Sequence, residues 1–352
     1  MPHAGAPLVL DGSFGEGGGG LIRTGLAMAA LTQRPVRFEN VRAGTDYPGI
    51  DLEDLWLARS LATACAAETV SLELGGSAFS FLPTRPVGPF RPDLTGAGLT
   101  RLPSAPVIAN ALLPVMARSG VYASAEIEGE TYGRHCLSYD YFADVTLACH
   151  RKFGIYAFAE MVRAGFGHES RGQVRMEVEP SALHAVDLSE RGRSLGCYAV
   201  IAIANLPPEV GERGVSHLER LGQAAGVPLR AAFRSVDSAT PGAYVTAWAE
   251  YESGLGGVGV MGARGLRMES VAQQAFSQLS DWMATDATVD RYLADQVLIT
   301  ACFAEGETRF RVDALTATLL TSAWVIKQFV PMHITINGQE GERGTVSIRR
   351  GA

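Results

Sequence analysis

Between Leu8 and Gly49 the chain reads LVLDGSFGEGGGGLIRTGLAMAALTQRPVRFENVRAGTDYPG, and this stretch narrows the fold more than any other. The short apolar run Leu8–Leu10 reads as a buried strand. A turn follows, and then five of the six residues from Gly15 to Gly20 are glycine, around the single acid Glu16. Leu21, Ile22, Gly25, Leu26, Met28, Ala29 and Leu31 start a helical pattern at once. Glycine costs roughly 1 kcal/mol relative to alanine inside a helix. Five of them at a strand-to-helix junction therefore point to close backbone approach, the usual occupant being a phosphate at the helix N-terminus.

The spacing Gly15-x-Gly17-x-x-Gly20, after one strand and before another at Pro35–Phe38 that ends in Glu39, matches a dinucleotide fingerprint and would make the chain a Rossmann-type oxidoreductase. Against this, Glu16 would repel the pyrophosphate, and no regular βαβ units follow Glu39. A chain of 352 residues makes one large or two medium domains, and 47% hydrophobic with 19% charged residues is an ordinary soluble composition. No apolar run is long enough to span a membrane, and Met1–Pro7 lacks the regions of a signal peptide. The five cysteines are scattered without a CxxC pair, so neither a disulfide framework nor a zinc site is expected, and a cytoplasmic location is. With a net charge of −7, no broad basic face for nucleic acid is expected. Lys152 and Lys327 are the only lysines, so nucleotidyl transfer through a lysine would have to use one of these two.

Further along, Leu52–Ala66 reads as a helix, and Val70–Leu74 with Ala78–Phe81 as a hairpin around Gly75-Gly76. A glycine turn and an apolar helix within Gly96–Gly120 and a strand at Tyr122–Ile127 suggest that the unit recurs. Near the end come a helix over Tyr292–Phe303, a strand at Arg309–Val312 and a helix over Thr318–Phe329. Between Val186 and Trp282 the texture differs. Strands are expected at Tyr198–Ala204 and Ala243–Glu252, a helix at Val210–Ala225, and a glycine-rich connection over Gly254–Arg267.

DGSFGEGGG at Asp11–Gly19, RTGLA at Arg23–Ala27 and VRAG at Val41–Gly44 resemble the opening of RNA 3′-terminal phosphate cyclases. The resemblance returns in order at SERG (Ser189–Gly192), LPPEVGER (Leu206–Arg213), RYLADQV (Arg291–Val297) and LLTSAWVIKQF (Leu319–Phe329). It implies an α/β fold with a large domain, residues 1–185 and 283–352, of three repeats that each set two helices on a four-stranded sheet. A smaller α/β domain, residues 186–282, is inserted. It also implies ATP, a divalent cation (Mg or Mn) and an RNA 3′ end as ligands, the end being gripped locally.

Family members place AMP on a histidine, pass it to an RNA 3′-phosphate, and let the neighbouring 2′-hydroxyl displace it. The position of that histidine, immediately before Leu319-Leu320-Thr321, is Thr318 here. Threonine is almost wholly protonated at neutral pH and needs an adjacent base, and its alkoxide is a poor leaving group where imidazole is a good one. Thr318 also suits the N-cap of a helix starting at Leu319. By the same resemblance Gly17, Gly18 and Gly19 line the nucleotide, Glu16 holds the cation and Arg23 and Arg42 contact phosphate. Tyr292, Asp295 and Gln296 meet adenosine and ribose; Asp295 would equally serve as a helix cap. Thr45 replaces a second arginine, and Asp51, Glu53 and Asp54 put acids where the family has an arginine, an amide and a base. Arg134 and Arg171 are candidates to offset them, and His135 and His168 are candidates for a relocated nucleophile.

The expectation is a cyclase-like RNA-processing and RNA-binding protein, associated with an adenine nucleotide, an RNA 3′ end and a ribonucleoprotein partner, that has lost the histidine–AMP step. The alternative is an active ATP-dependent cyclase with a relocated nucleophile or direct transfer.

Overall fold

The computed structural model describes residues 6–95, 102–133, 137–167 and 169–351, and structural statements below concern these. β1 (Leu8–Asp11) runs through the glycine loop into α1 (Gly19–Thr32), and β2 (Val36–Glu39) returns parallel to β1, with Leu10 opposite Phe38. α2 (Leu52–Cys65) has a reciprocal cap: the Asp51 carboxylate accepts the Asp54 N–H at 2.9 Å, and the Asp54 carboxylate accepts the Asp51 N–H at 3.2 Å. β3 (Glu68–Val70) and β4 (Phe79–Leu82) complete a sheet of order β1-β2-β4-β3, in which every pairing after the first is antiparallel. An antiparallel pair forms, but its first strand is Glu68–Val70 and shares only Val70 with the expected Val70–Leu74, the chain turning at Ser71 with a φ of +57°. A dinucleotide fold needs its parallel strands to continue. The antiparallel β4 and β3 therefore overturn the Rossmann oxidoreductase reading of Gly15–Gly20.

The same strand order recurs. The second unit comprises β5 (Asp93–Leu94), α3 (Ala105–Ala117) and β6 (Ala123–Gly129). A helical stretch follows, made of α4 (Tyr139–Tyr141), a π-helical turn (Phe142–Thr146) and α5 (Leu147–Lys152), and then β7 (Ala157–Arg163) and β8 (Gly172–Val178), giving the order β5-β6-β8-β7.

The third unit begins at β9 (Asp187–Leu188) and is interrupted by a separate sheet. That sheet contains β10 (Ser194–Ala204), then α6 (Pro208–Ala224), β11 (Leu229–Ser235), β12 (Gly242–Tyr251), β13 (Gly254–Met261) and α7 (Met268–Met283). Its order is β11-β10-β12-β13, and its core, including Ile201, Leu218, Val245 and Leu279, is distinct from the main one. The third unit resumes with α8 (Leu293–Gln296), α9 (Leu298–Phe303), β14 (Glu307–Val312), α10 (Ala317–Phe329), β15 (Met332–Asn337) and β16 (Gly344–Arg350). Its sheet runs β9-β14-β16-β15, the order of the first two. The α/β architecture of three like units with an inserted α/β unit is thus the one expected from the sequence.

Two local expectations fail. Gly254–Met261 is a strand, β13, and no mere connection. Glycine has low strand propensity and hides the pattern, yet here it makes room for rings: a Cβ on Gly256 would lie 2.5 Å from the Trp282 indole. The helix expected over Tyr292–Phe303 is two short ones, broken at Val297, where ψ falls to −8°. Arg191, in the SERG segment, fastens the inserted sheet at its neck. Its guanidinium donates to the carbonyls of Trp282 at 3.0 Å and Met283 at 2.9 Å and stacks 4.1 Å above the Trp282 ring.

α1 carries the site. Ten of its fourteen residues are buried, because it packs on its own sheet and against α2, α3 and α10 at once. An apolar helix enclosed on every side is a fixed base for the loop at its N-terminus, since moving it would expose Leu21, Ile22, Leu26 and Met28 at about 1.5–3 kcal/mol each.

Candidate functional site

The glycine loop is held by α10. Thr318 donates its hydroxyl to Glu16 Oε2 at 2.7 Å, and one turn on Thr321 Oγ1 accepts the Glu16 N–H at 3.0 Å. Glu16 Oε1 accepts the Leu21 N–H at 3.0 Å, so this carboxylate caps α1 from outside the helix. The anion at the N-terminus of α1 is therefore the chain's own. The glycines answer to the chain's own atoms as well. Gly17 has φ of +60° and would place a Cβ 2.7 Å from the Gly44 Cα; a Cβ on Gly19 would lie 2.5 Å from Arg42 Nη2 and 2.7 Å from Arg23 Nη1. Gly18 is the N-cap residue of α1.

Thr318 is not the N-cap of α10. That residue is Thr316, whose Oγ1 accepts the Leu319 N–H at 3.1 Å, which leaves the Thr318 hydroxyl free for Glu16. His135 and His168 lie outside the described residues, as does Arg134.

The two arginines converge beside Gly19 and meet the acids that open α2. Arg42 forms a fork on Asp54, Nε to Oδ2 at 2.6 Å and Nη2 to Oδ1 at 3.0 Å, and reaches Asp51 at 2.8 Å. Arg23 pairs with Glu53 Oε1, and the same oxygen lies 3.8 Å from Arg42 Nη2. Burial works against the Arg23 charge, but Glu53 and Glu16 outweigh it. Burial and the neighbouring Asp54 push the Asp51 carboxyl up to about 6 against the pull of Arg42. The acids at 51, 53 and 54 are thus paired with Arg23 and Arg42, three carboxylates against two cations. Arg171, expected to do this, bonds Glu128 at 3.1 Å instead.

Arg23, Thr318, Tyr292, Asp295 and Gln296 line one cleft of about 420 Å³, with Asn110 of α3, Ser138 and Tyr141 opposite and Tyr244 and Gly259 from the inserted sheet. Tyr292 is half-exposed and presents its ring. Burial pushes the Asp295 carboxyl up to about 7, Arg23 opposing and the charge of Glu16 adding to it. Asp295 is no helix cap. Asp290 caps α8, accepting the Tyr292 and Leu293 N–H groups at 2.8 and 3.0 Å, and also binds the Tyr141 hydroxyl at 2.6 Å. The Gln296 amide is committed within the protein, donating to the Tyr292 carbonyl and accepting the Thr146 hydroxyl, both at 2.7 Å. Asn110 Oδ1 is buried without a partner, an acceptor waiting for a donor.

Asp290 was legible as an acid three residues before a helix start. Asn110, Tyr141 and Tyr244 carried no local signal, since they reach the cleft from other units.

The cleft suits an adenine nucleoside: it has a half-exposed ring, an unpaired buried acceptor and a carboxyl that titrates near neutrality. It does not suit a protein-held divalent cation. Both Glu16 oxygens already accept hydrogen bonds, and among the described residues no three acids, histidines or cysteines cluster as ligands. Nor, among the described residues, is any helix long and apolar enough to cross a membrane.

The units of parallel-then-antiparallel strands, with this cleft between them, define an α/β protein with a nucleotide-sized site. The family model described as RNA 3′-terminal phosphate cyclase matches residues 14–336. Proteins named RNA 3′-terminal phosphate cyclase align with this chain over most of its length. That of Methylococcus capsulatus is 31% identical, covering 97% of this chain and 96% of its own. That of Thermococcus onnurineus is 32% identical (97% and 98%), and that of Pyrococcus furiosus 30% (98% and 99%). The chain belongs to the RNA 3′-terminal phosphate cyclase family.

Proposed function

We propose that this chain binds an adenine nucleotide and an RNA 3′ end in the cleft between α1, α3 and α8 but forms no nucleotide-linked intermediate, and serves RNA processing as a cyclase-like binding protein. The observation that carries this reading is the Thr318 hydroxyl bound to Glu16 where the resemblance places a histidine. Two separate properties are missing there. A carboxylate is a far weaker base than the alkoxide it would have to generate, and an AMP ester on threonine would not hand the nucleotide on.

The remaining residues suit binding. The Tyr292 ring offers a stacking surface, and Asn110 Oδ1 accepts a hydrogen bond, as from an exocyclic amine. Asp295, titrating near 7, donates or accepts according to its protonation. ATP, when bound, would supply the activated phosphate of the family reaction. A divalent cation would have to arrive with its phosphates, because Glu16 is already engaged. In this reading residues 1–185 and 283–352 form the cleft-bearing domain and 186–282 an inserted domain that adds Tyr244 and Gly259 to the wall. The setting is cytoplasmic, with a ribonucleoprotein as partner.

The second reading is an active cyclase, and one geometric fact favours it: Thr318 and Glu16 are already paired as nucleophile and base would be. The two separate in one assay. The protein is incubated with ATP, magnesium or manganese and an RNA bearing a 3′-phosphate. Saturable ATP binding with no 2′,3′-cyclic end supports the first reading; cyclised RNA establishes the second, through Thr318 if Thr318→Val abolishes it and through a relocated nucleophile or direct transfer if it does not.

A further inference from the structure

The loop and α2 together show what the site prefers at its anionic end. A phosphate entering beside α1 has two sources of attraction: the helix N-terminus, and the pair of guanidinium groups crowded against Gly19. Carboxylates of the chain fill both. Glu16 accepts the Leu21 N–H at the helix end. Glu53 presents a single oxygen, Oε1, to both arginines, in contact with Arg23 and 3.8 Å from Arg42. The fork of Arg42 is then completed by Asp54 and Asp51. Arg23 and Arg42 carry two positive charges against three negative ones on Asp51, Glu53 and Asp54, before Glu16 is counted. The Glu53 side chain is 12% exposed and that of Arg42 15%, so solvent screens this arrangement only in part.

We propose that Glu53 is a specificity-determining residue: it occupies the anion position between Arg42 and Arg23, the one member of this cluster that lines the cleft, so that the cleft takes an RNA end carrying a free 2′,3′-diol and discriminates against one carrying a 3′-phosphate. This rests on the reading of the cleft as an RNA-end site. A terminal phosphate must displace Glu53 from both guanidinium groups and then face Asp51 and Asp54 across them. A hydroxyl end needs no such exchange and can bond to the carboxylates as a donor. Glu53→Gln keeps the shape and removes the charge. It leaves the two arginines with an unfilled anion position while Asp54 maintains the cap of α2.

The test uses the full chain and two short oligoribonucleotides of one sequence, ending in a 3′-hydroxyl or a 3′-phosphate, with calorimetric titration of each. The wild-type protein is expected to bind the hydroxyl end at least as tightly as the phosphate end. Glu53→Gln is expected to tighten the phosphate end about tenfold relative to the hydroxyl end, the worth of one charge-assisted contact. Asp51→Asn, at the half-exposed rim, should act in the same direction by about twofold. Circular dichroism confirms that each variant folds. The proposal fails if wild type already prefers the phosphate end by tenfold. It also fails if Glu53→Gln and Asp51→Asn shift both ends alike or shift neither. Absence of binding by either oligonucleotide would overturn the RNA-end reading along with it, whereas unchanged selectivity overturns only the role of Glu53.

Discussion

Replacing Asp295 by asparagine should stabilise the protein increasingly as pH rises from about 4 to about 7 and leave it unchanged below that window. Burial raises this carboxyl from an ordinary 3.8 to about 7; Arg23 opposes the shift, while Glu16 and Asp290 reinforce it. A group whose pKa is raised in the folded state contributes stability that is complete below its unfolded value, here about 3.8. That contribution is lost as pH climbs through about 7. Between those limits the folded chain holds one more proton than the unfolded chain, worth about 1.4 kcal/mol per pH unit and at most about 4 kcal/mol in all. Solvent at the cleft mouth screens part of this and leaves about 2 kcal/mol. Asparagine has the same shape and no charge to lose. The assay is urea unfolding of both proteins at about pH 3.5, below the unfolded value, and at about pH 8. Asp290 and Asp51, each raised to about 6 by burial, titrate in both proteins, so the difference between the two profiles isolates Asp295. The profiles should coincide in acid and part by about 2 kcal/mol at pH 8, with the variant more stable. Parallel profiles would refute the assignment.

Thr318→Val removes the hydroxyl donated to Glu16 at nearly constant shape and should cost about 1–2 kcal/mol in thermal or urea unfolding, since the bond is to a charged acceptor. Gly17→Ala should cost about 1–2 kcal/mol for its φ of +60°, and more if Gly44 cannot retreat from the 2.7 Å contact; ATP titration should weaken in step as the loop shifts. The four described cysteines, Cys65, Cys149, Cys197 and Cys302, are buried with thiols pushed upward, so a thiol reagent at neutral pH should modify them only on the timescale of unfolding.

The fold was legible where periodicity and glycine agreed. The apolar face after Gly20 announced α1, and the recurrence of strand and helix patterns announced like units. It was illegible where glycine stood in for side chains, as in β13, whose alternation shows only once the Trp282 ring rests against Gly256. For the site, the resemblance carried by RTGLA and RYLADQV named Arg23, Tyr292 and Asp295, and these three line one cleft. The partners of those residues were not legible. That Arg23 would meet Glu53, thirty residues on, or that Glu16 would be held from α10 by Thr318, is a property of packing between units, and no local spacing encodes it.

The most direct measurement is the intact mass of the purified chain after incubation with ATP and magnesium or manganese, followed by removal of free nucleotide. The account predicts the mass of the unmodified polypeptide, in the wild-type protein and in His135→Ala and His168→Ala alike. A species heavier by one adenylyl group, and missing from any one of these variants or from Thr318→Val, would contradict it.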